Sequence, residues 1–303
     1  MSLPRIQLVS EADDEHTGRA LDRALAEIGF IGVTDCGMPP ALLQDAFAQT
    51  KAFFRRSEED KAQFGYRSAS ENFGYQSLGE EHLDPTKPAD LKQTFTMRNI
   101  ERFAASDPRW PSHEFYNCMR EFHAAAIAIA ARLETLLANN LDVAADYFSA
   151  CHSGENVSLR LLYYPAVNAD GLSAGQLGAG EHTDYGLLTL LFQHEIGGLE
   201  VLNKANQWRS VAYEPNLVVV NSGDLLERWT NGRYRSTRHR VPPQTAGQER
   251  FSIALFIDPD SDTDVRPLAS CVDEFHPAQY PATTAGEHIQ AKINASHKAR
   301  FGA

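Results

Sequence analysis

From about residue 156 the apolar side chains stop recurring every three or four positions and begin to alternate, and this change of period constrains the fold more than any other feature. Val157, Leu159, Leu161 and Tyr163 alternate with Ser158, Arg160, Leu162 and Tyr164. Further short runs follow at 186–192, 198–202, 207–211, 216–220, 234–241 and 250–257. Gly197-Gly198, Asn221-Ser222-Gly223, Asn231-Gly232 and Pro242-Pro243 separate them as turns. Many short strands at such spacing make a β-sandwich or barrel.

Upstream of that point the period is helical. Leu21, Ala24, Leu25 and Ile28 predict an amphipathic helix over 17–28, and Phe30–Val33 a short strand. Pro39 and Pro40 open a second helix with Leu43, Ala46, Phe47, Ala52 and Phe53 on its apolar side. Phe115, Met119, Phe122, Ala126, Ile129, Leu133 and Leu136 predict a long scaffold helix over 112–140, stopped at Asn139-Asn140. Residues 66–94, rich in Gly, Ser, Glu and Pro, predict a long loop, and a loop of that length in a compact domain is more often functional than idle. Phe73, Tyr75 and Arg98 are candidates to line a pocket beside it. The tail, 284–298, is expected to be helical. No clean linker divides the helical front from the β half. The expected organisation is therefore one integrated unit with an N-terminal segment at 1–110, scaffold helices at 111–150 and a β core at 151–303.

Composition excludes several classes. The 303 residues are 43% hydrophobic and 22% charged, which fits a globular enzyme and not a disordered chain. A net charge of −12 argues against nucleic acid or an anionic membrane as a general partner. No apolar run reaches the roughly 18 to 20 residues that cross a bilayer. The opening residues turn acidic after one Arg, and no signal peptide is expected. The four cysteines form no CxxC pair. Neither a zinc knuckle nor a disulfide framework is signalled, and reduced thiols in a cytoplasmic protein are expected.

Within the β half stands Gly180-Glu181-His182-Thr183-Asp184-Tyr185-Gly186. Residues two apart on a strand share a face, so His182 and Asp184 can aim a nitrogen and a carboxylate at one point. A lone HxD carries little weight, since 11 His and 19 Asp in 303 residues give about one such pair by chance. The chain supplies its own control in His82-Leu83-Asp84, which sits in a polar loop without a strand pattern. What raises the pair at 182 and 184 is its company. His239 follows on another expected strand, Tyr234–Val241, and Arg250-Phe251-Ser252 opens the strand RFSIALFI. Two His and one carboxylate on one side of a metal form the facial triad of non-haem Fe(II) oxygenases, which leaves three positions for a 2-oxo acid and dioxygen. Arg250 and Ser252, also two apart, make a fork and a hydroxyl suited to a carboxylate.

The runs HTDYGLLTLLFQHEIGGLEVL, VVVNSGDLLERWTNGRYRSTRHRV and ERFSIALFI resemble the isopenicillin N synthase-like family of 2-oxoglutarate/Fe(II)-dependent dioxygenases. GFIGVTDCGMPPALLQDAFAQTKAFF, DLKQTFTM and LRLLYYP extend the resemblance over roughly 5–280. It implies a mostly β fold with flanking helices: a distorted double-stranded β-helix, or jelly roll, buttressed by the N-terminal and long central helices. It implies that His182, Asp184 and His239 hold Fe(II). It implies that Arg250 and Ser252 bind the distal carboxylate of 2-oxoglutarate, with Tyr164 beside them. The implied reaction oxidises an unactivated C–H bond of a small molecule, most commonly by hydroxylation, with dioxygen consumed, succinate and carbon dioxide released, and ascorbate as a supporting reductant. Many plant relatives carry Asn where this chain has Leu162, which removes one expected co-substrate hydrogen bond. Isopenicillin N synthase itself keeps the Arg–Ser pair without using a 2-oxo acid. An iron oxidase of the same fold therefore stays open, as do a non-catalytic metal-binding protein and a cupin-type isomerase or hydrolase. The substrate and the oligomeric state are not legible at this level.

Overall fold

The computed structural model describes residues 1–8, 14–84 and 86–292. The helical front takes the expected shape. α1 (Asp14–Glu27) turns Leu21, Ala24 and Leu25 inward. α2 (Pro40–Phe54) begins with its proline in the first turn, where a missing N–H costs nothing. α3 (Glu58–Ala62) is capped by the Ser57 hydroxyl, which accepts from the Asp60 N–H at 3.1 Å. α4 (His113–Asn140) is capped in the same way by Ser112, which accepts from the Phe115 N–H at 3.1 Å. Its buried stripe, including Phe115, Met119, Phe122, Ile129 and Leu133, packs against α1 and α2 and touches the main sheet. No helix of the described residues is long and apolar enough to cross a membrane.

That sheet has eight strands. In chain order they are β1 (Arg5–Gln7), β2 (Phe30–Thr34), β3 (Phe73–Gln76), β4 (Gln93–Arg98), β5 (Ser158–Tyr164), β7 (Leu188–His194), β10 (Val218–Ser222) and β12 (Arg250–Ile257). In space the order is β1-β2-β10-β7-β12-β5-β4-β3, antiparallel except for the β1–β2 pair. Alternation sorts its two faces. Leu159, Leu161, Leu190, Phe192, Ile253, Leu255, Phe95 and Met97 join the core beneath the helices. Leu162, Tyr164, Leu191, Ala254 and Phe256 face the other way, against a smaller sheet. The smaller sheet runs β6-β11-β8-β9, from β6 (Ala179–His182), β8 (Glu200–Leu202), β9 (Trp208–Ser210) and β11 (His239–Val241). Two facing antiparallel sheets, buttressed on one side by helices, make the jelly roll. A short pair, β13 (Asp264–Val265) and β14 (Thr283–Thr284), lies beyond them, and α5 (Asp224–Trp229) follows β10.

Three expectations change. The stretch 66–94 is not all loop, because Phe73 and Tyr75 alternate with Gly74 and Gln76 to form the edge strand β3. Their rings enter an aromatic cluster with Phe53 and Phe95, away from the cavity face. Of the expected strand 234–241, only 239–241 pairs. The Arg235 carbonyl accepts from Ser222 of β10, the Arg235 N–H donates to the Leu25 carbonyl of α1, and the Thr237 hydroxyl donates to the Ile28 carbonyl, so 234–238 is tied to β10 and the end of α1 instead of a ladder. The helical tail is seen over 285–292, Thr284 pairs in β14 instead, and 293–298 lie outside the described residues.

Candidate active site

β6 ends at His182 and pairs with β11 so that His182 faces His239 across the ladder. This register brings the two imidazoles together, with ring centroids 4.2 Å apart. Asp184 lies two residues past the end of β6. The shared strand face expected from HxD is therefore replaced by a turn, which is held where the Asp184 carbonyl accepts from the Asp224 N–H at 2.8 Å.

The donor atoms are oriented by their neighbours. His182 Nδ1 donates to the Gly180 carbonyl at 2.8 Å, and His239 Nδ1 to the Thr237 carbonyl at 3.1 Å. A carbonyl only accepts, so both rings carry their proton on Nδ1 and present the Nε2 lone pair. Those Nε2 atoms lie 3.8 and 3.7 Å from Asp184 Oδ1. Asp184 Oδ2 is occupied, because it accepts from Thr189 Oγ1 at 2.6 Å and Asn221 Nδ2 at 2.7 Å. One nitrogen from each ring and one oxygen thus remain for a metal, all within 4.8 Å of one another. Among the described residues no other group of three His, Cys, Asp or Glu side chains converges in this way. Burial alone would raise the Asp184 carboxyl, but His239, His182, Asn221 and Thr189 outweigh it and hold it below the usual carboxylate range. Burial, reinforced by His239, keeps the His182 imidazole well below its usual value and therefore neutral, as a ligand must be. This donor set fits Fe(II), with the imidazole and carboxylate partners that orient such ligands already in place.

The control pair behaves as expected of a loop. Asp84 accepts from the Thr86 N–H and hydroxyl, closing its own turn. His152 is engaged by Glu134 at 2.9 Å, and His194 rests edge-on against Phe47.

Deeper in the same cavity, of about 360 Å³, lie Arg250, Ser252 and Tyr164. β12 pairs with β5 so that Arg250 stands opposite Tyr164 and Ser252 opposite Leu162. The Arg250 guanidinium is 1% exposed. Its Nε donates to the Gly197 carbonyl at 2.8 Å, Nη1 to Ser252 Oγ at 3.2 Å and Nη2 to Gln193 Oε1 at 3.3 Å. The Tyr164 ring lies 4.7 Å beneath it. Gly198 has φ +108°, and a Cβ there would stand 3.1 Å from the arginine Cδ, so glycine lets the chain pass. All of these partners are neutral, and no carboxylate among the described residues pairs with Arg250. A buried cation without a counter-ion is costly, and a carboxylate ligand would complete it. Leu162 places an isobutyl group on this wall, so that position donates no hydrogen bond.

Sequence reasoning missed Thr189, Asn221 and Gln193. Asn221-Ser222-Gly223 reads as a turn in the sequence, yet Asn221 is the fourth residue of the buried strand β10. A polar residue within the apolar run VVVNS was the available signal. Of the three candidates near the loop, only Arg98 reaches a cavity, a polar one adjoining the metal site.

Jelly roll, triad and buried fork together define a class, and the comparisons agree. The chain matches the family model 2OG-Fe(II) oxygenase superfamily over residues 155–259 and the model for the non-haem dioxygenase in morphine synthesis N-terminal region over residues 3–120. It belongs to the 2-oxoglutarate/Fe(II) oxygenase family and is a non-haem iron dioxygenase that uses 2-oxoglutarate. It is 32% identical over 295 residues to Proline hydroxylase buaE of Petromyces alliaceus, covering 89% of this chain and 90% of that one. A full-length Neurospora crassa protein, solved in complex with alpha-KG, superposes with a TM-score of 0.84 at 28% identity, covering 97% and 96% of the two chains. JOX2, solved in complex with 2OG, Fe and JA, superposes with a TM-score of 0.80 at 26% identity, covering 96% of this chain and 85% of that one.

Proposed function

We propose that this enzyme hydroxylates a C–H bond of a small molecule while 2-oxoglutarate is converted to succinate and carbon dioxide. One oxygen atom of dioxygen enters the product and the other enters succinate. Fe(II) is held by His182 Nε2, Asp184 Oδ1 and His239 Nε2, and when bound it supplies dioxygen activation at the expense of the 2-oxo acid. Arg250 and Ser252 bind the distal carboxylate and so set the reach of the co-substrate toward the metal. Tyr164 supports the guanidinium from below. Thr189 and Asn221 hold the Asp184 carboxylate in its orientation. Leu162, Leu191, Ala254 and Phe256 keep the cavity between the sheets apolar, which limits water near the reacting centre.

The observation that carries this reading is the buried Arg250 guanidinium, matched only by neutral groups, in the same cavity as the three converging donors. Relatives that are hydroxylases or bind small molecules support hydroxylation of a small substrate. The test is dioxygen uptake by the iron-loaded protein with and without 2-oxoglutarate, with succinate counted. Uptake that requires the oxo acid and yields one succinate per dioxygen supports the proposal. Substrate oxidation without the oxo acid would instead identify an iron oxidase of the same fold.

A further inference from the structure

One carboxyl lining the metal-bearing cavity has no partner among the described residues. Asp258 directly follows β12 and lines both the metal-bearing cavity and an adjoining polar cavity of about 720 Å³. It accepts no hydrogen bond and joins no ion pair with any described residue. Its place is fixed. Asn156 Nδ2 donates to the next residue's carbonyl, that of Pro259, at 2.8 Å, and Asp260 accepts from the Ser153 N–H and hydroxyl. Gly186 leaves the room it occupies, because a Cβ there would lie 1.7 Å from Asp258 Oδ1.

Most other charges around it are answered by opposite charges. Lys92 pairs with Asp90 at 2.7 Å and with Glu81 at 3.2 Å. Arg160 pairs with Glu81 and also donates to Gln76 and Thr94. From β4, Arg98 gives its guanidinium only to neutral acceptors, the Glu155 and Ser70 carbonyls and Asn156 Oδ1, and its charge opposes that of Asp258 without hydrogen-bonding it. Asp184 and Arg250 are answered by the metal and the co-substrate. Burial and the nearby Asp184 push the Asp258 carboxyl up to about 7, with Arg98 opposing, as expected of an acid awaiting a partner. A second polar atom on this wall is also unmatched: Thr96 Oγ1, on a residue 2% exposed.

We infer that Asp258 selects the primary substrate by accepting hydrogen bonds from a basic nitrogen, so that the enzyme acts on a small molecule bearing an amine, guanidine or amidine. The inference rests on the proposed function, since it takes metal and 2-oxoglutarate to occupy the cavity at Asp184 and Arg250 and leaves Asp258 to the substrate. A cationic N–H donor answers both the charge and the empty acceptor positions of Asp258, which Arg98 nearby does not hydrogen-bond, whereas an anion would be repelled by Asp258 and Asp184. A charged nitrogen on Asp258 also anchors one end of the molecule while its carbon chain points toward the metal.

The test uses the full chain loaded with Mn(II) and 2-oxoglutarate under argon, with n-alkylguanidines and n-alkylureas of two to six carbons as matched cationic and neutral probes. Calorimetry should show the guanidine preferred by about tenfold or more at the best-fitting length, and Asp258→Asn should reduce that preference to within about twofold. Equal affinities in the wild-type protein overturn the assignment without any variant, as does no measurable guanidine binding at any length. A preference retained in Asp258→Asn overturns it too. If the Mn(II)-loaded wild-type protein does not bind 2-oxoglutarate at all, the proposed function and this inference fall together. If it binds 2-oxoglutarate yet treats guanidine and urea alike, only the role of Asp258 falls.

Discussion

Two histidines that each donate Nδ1 to a carbonyl two residues earlier leave no freedom in which nitrogen faces the metal. His182→Ala or Asp184→Ala should therefore abolish succinate formation and weaken Mn(II) binding by at least about a hundredfold, read by electron paramagnetic resonance titration. Asn221→Ala or Thr189→Val removes one donor to Asp184 Oδ2 and leaves every ligand in place. Metal affinity should then fall about 10- to 100-fold, with the Kd for 2-oxoglutarate at saturating metal moving much less. Arg250→Ala should raise that Kd about a hundredfold or more, and Arg250→Lys should recover only part of it, because a point charge does not reproduce the fork. The convergence of His182, Asp184 and His239 was legible in the sequence from HxD together with a distal His on another strand, and the proposed clamp from Arg250 and Ser252 two apart on β12. Asn221 and Thr189 were not, since what they do depends on strand register, and nothing local in VVVNS or LLTLL states which residue lies across the sheet.

At the scale of elements, periodicity carried α1, α2 and α4 almost to their ends and β12 to its full length, but the short α3 and α5 left no periodic signal and polar composition concealed β3. β3 ends the sheet with only β4 as a neighbouring strand, and its outer edge is met by the irregular segment 64–66, where Tyr66 N–H donates to the Tyr75 carbonyl and Tyr75 N–H to the Phe64 carbonyl, both at 2.8 Å, so its flanks can be loop-like. β11 was overestimated because alternation in Tyr234–Val241 records burial against α1 as well as pairing. α4 yields two tests. Leu133 is fully buried in its stripe, so Leu133→Ala should cost about 2–5 kcal/mol in denaturant unfolding. His123 lies on the same helix, and burial lowers its imidazole to about 4 despite the opposing Glu101. The unfolded chain takes up that proton near pH 6.5, before the folded one does. The contribution of neutral His123 is complete above that pH and is lost as pH falls toward 4, about 3 kcal/mol in all. Unfolding midpoints from pH 7 to 4 should accordingly fall more steeply in the wild-type protein than in His123→Leu.

At the scale of the molecule, the site exists only where two sheets meet. His182 and His239 come from the smaller sheet, Arg250 and Ser252 from the larger, and Thr189 and Asn221 reach across between them. Metal and co-substrate binding should therefore act on the whole fold. At about 100 times the Kd, 2-oxoglutarate with Mn(II) contributes about 2.7 kcal/mol, visible as a rise of several degrees in Tm that Arg250→Ala removes. That arginine has a further consequence for turnover. In the proposed function it meets only the far end of the co-substrate, a carboxylate that survives decarboxylation unaltered, so it would grip the spent four-carbon diacid as it grips the five-carbon one. Discrimination between the two is left to the other end of the molecule. Accumulating succinate should accordingly compete with fresh co-substrate, so that the enzyme slows as its own by-product builds up.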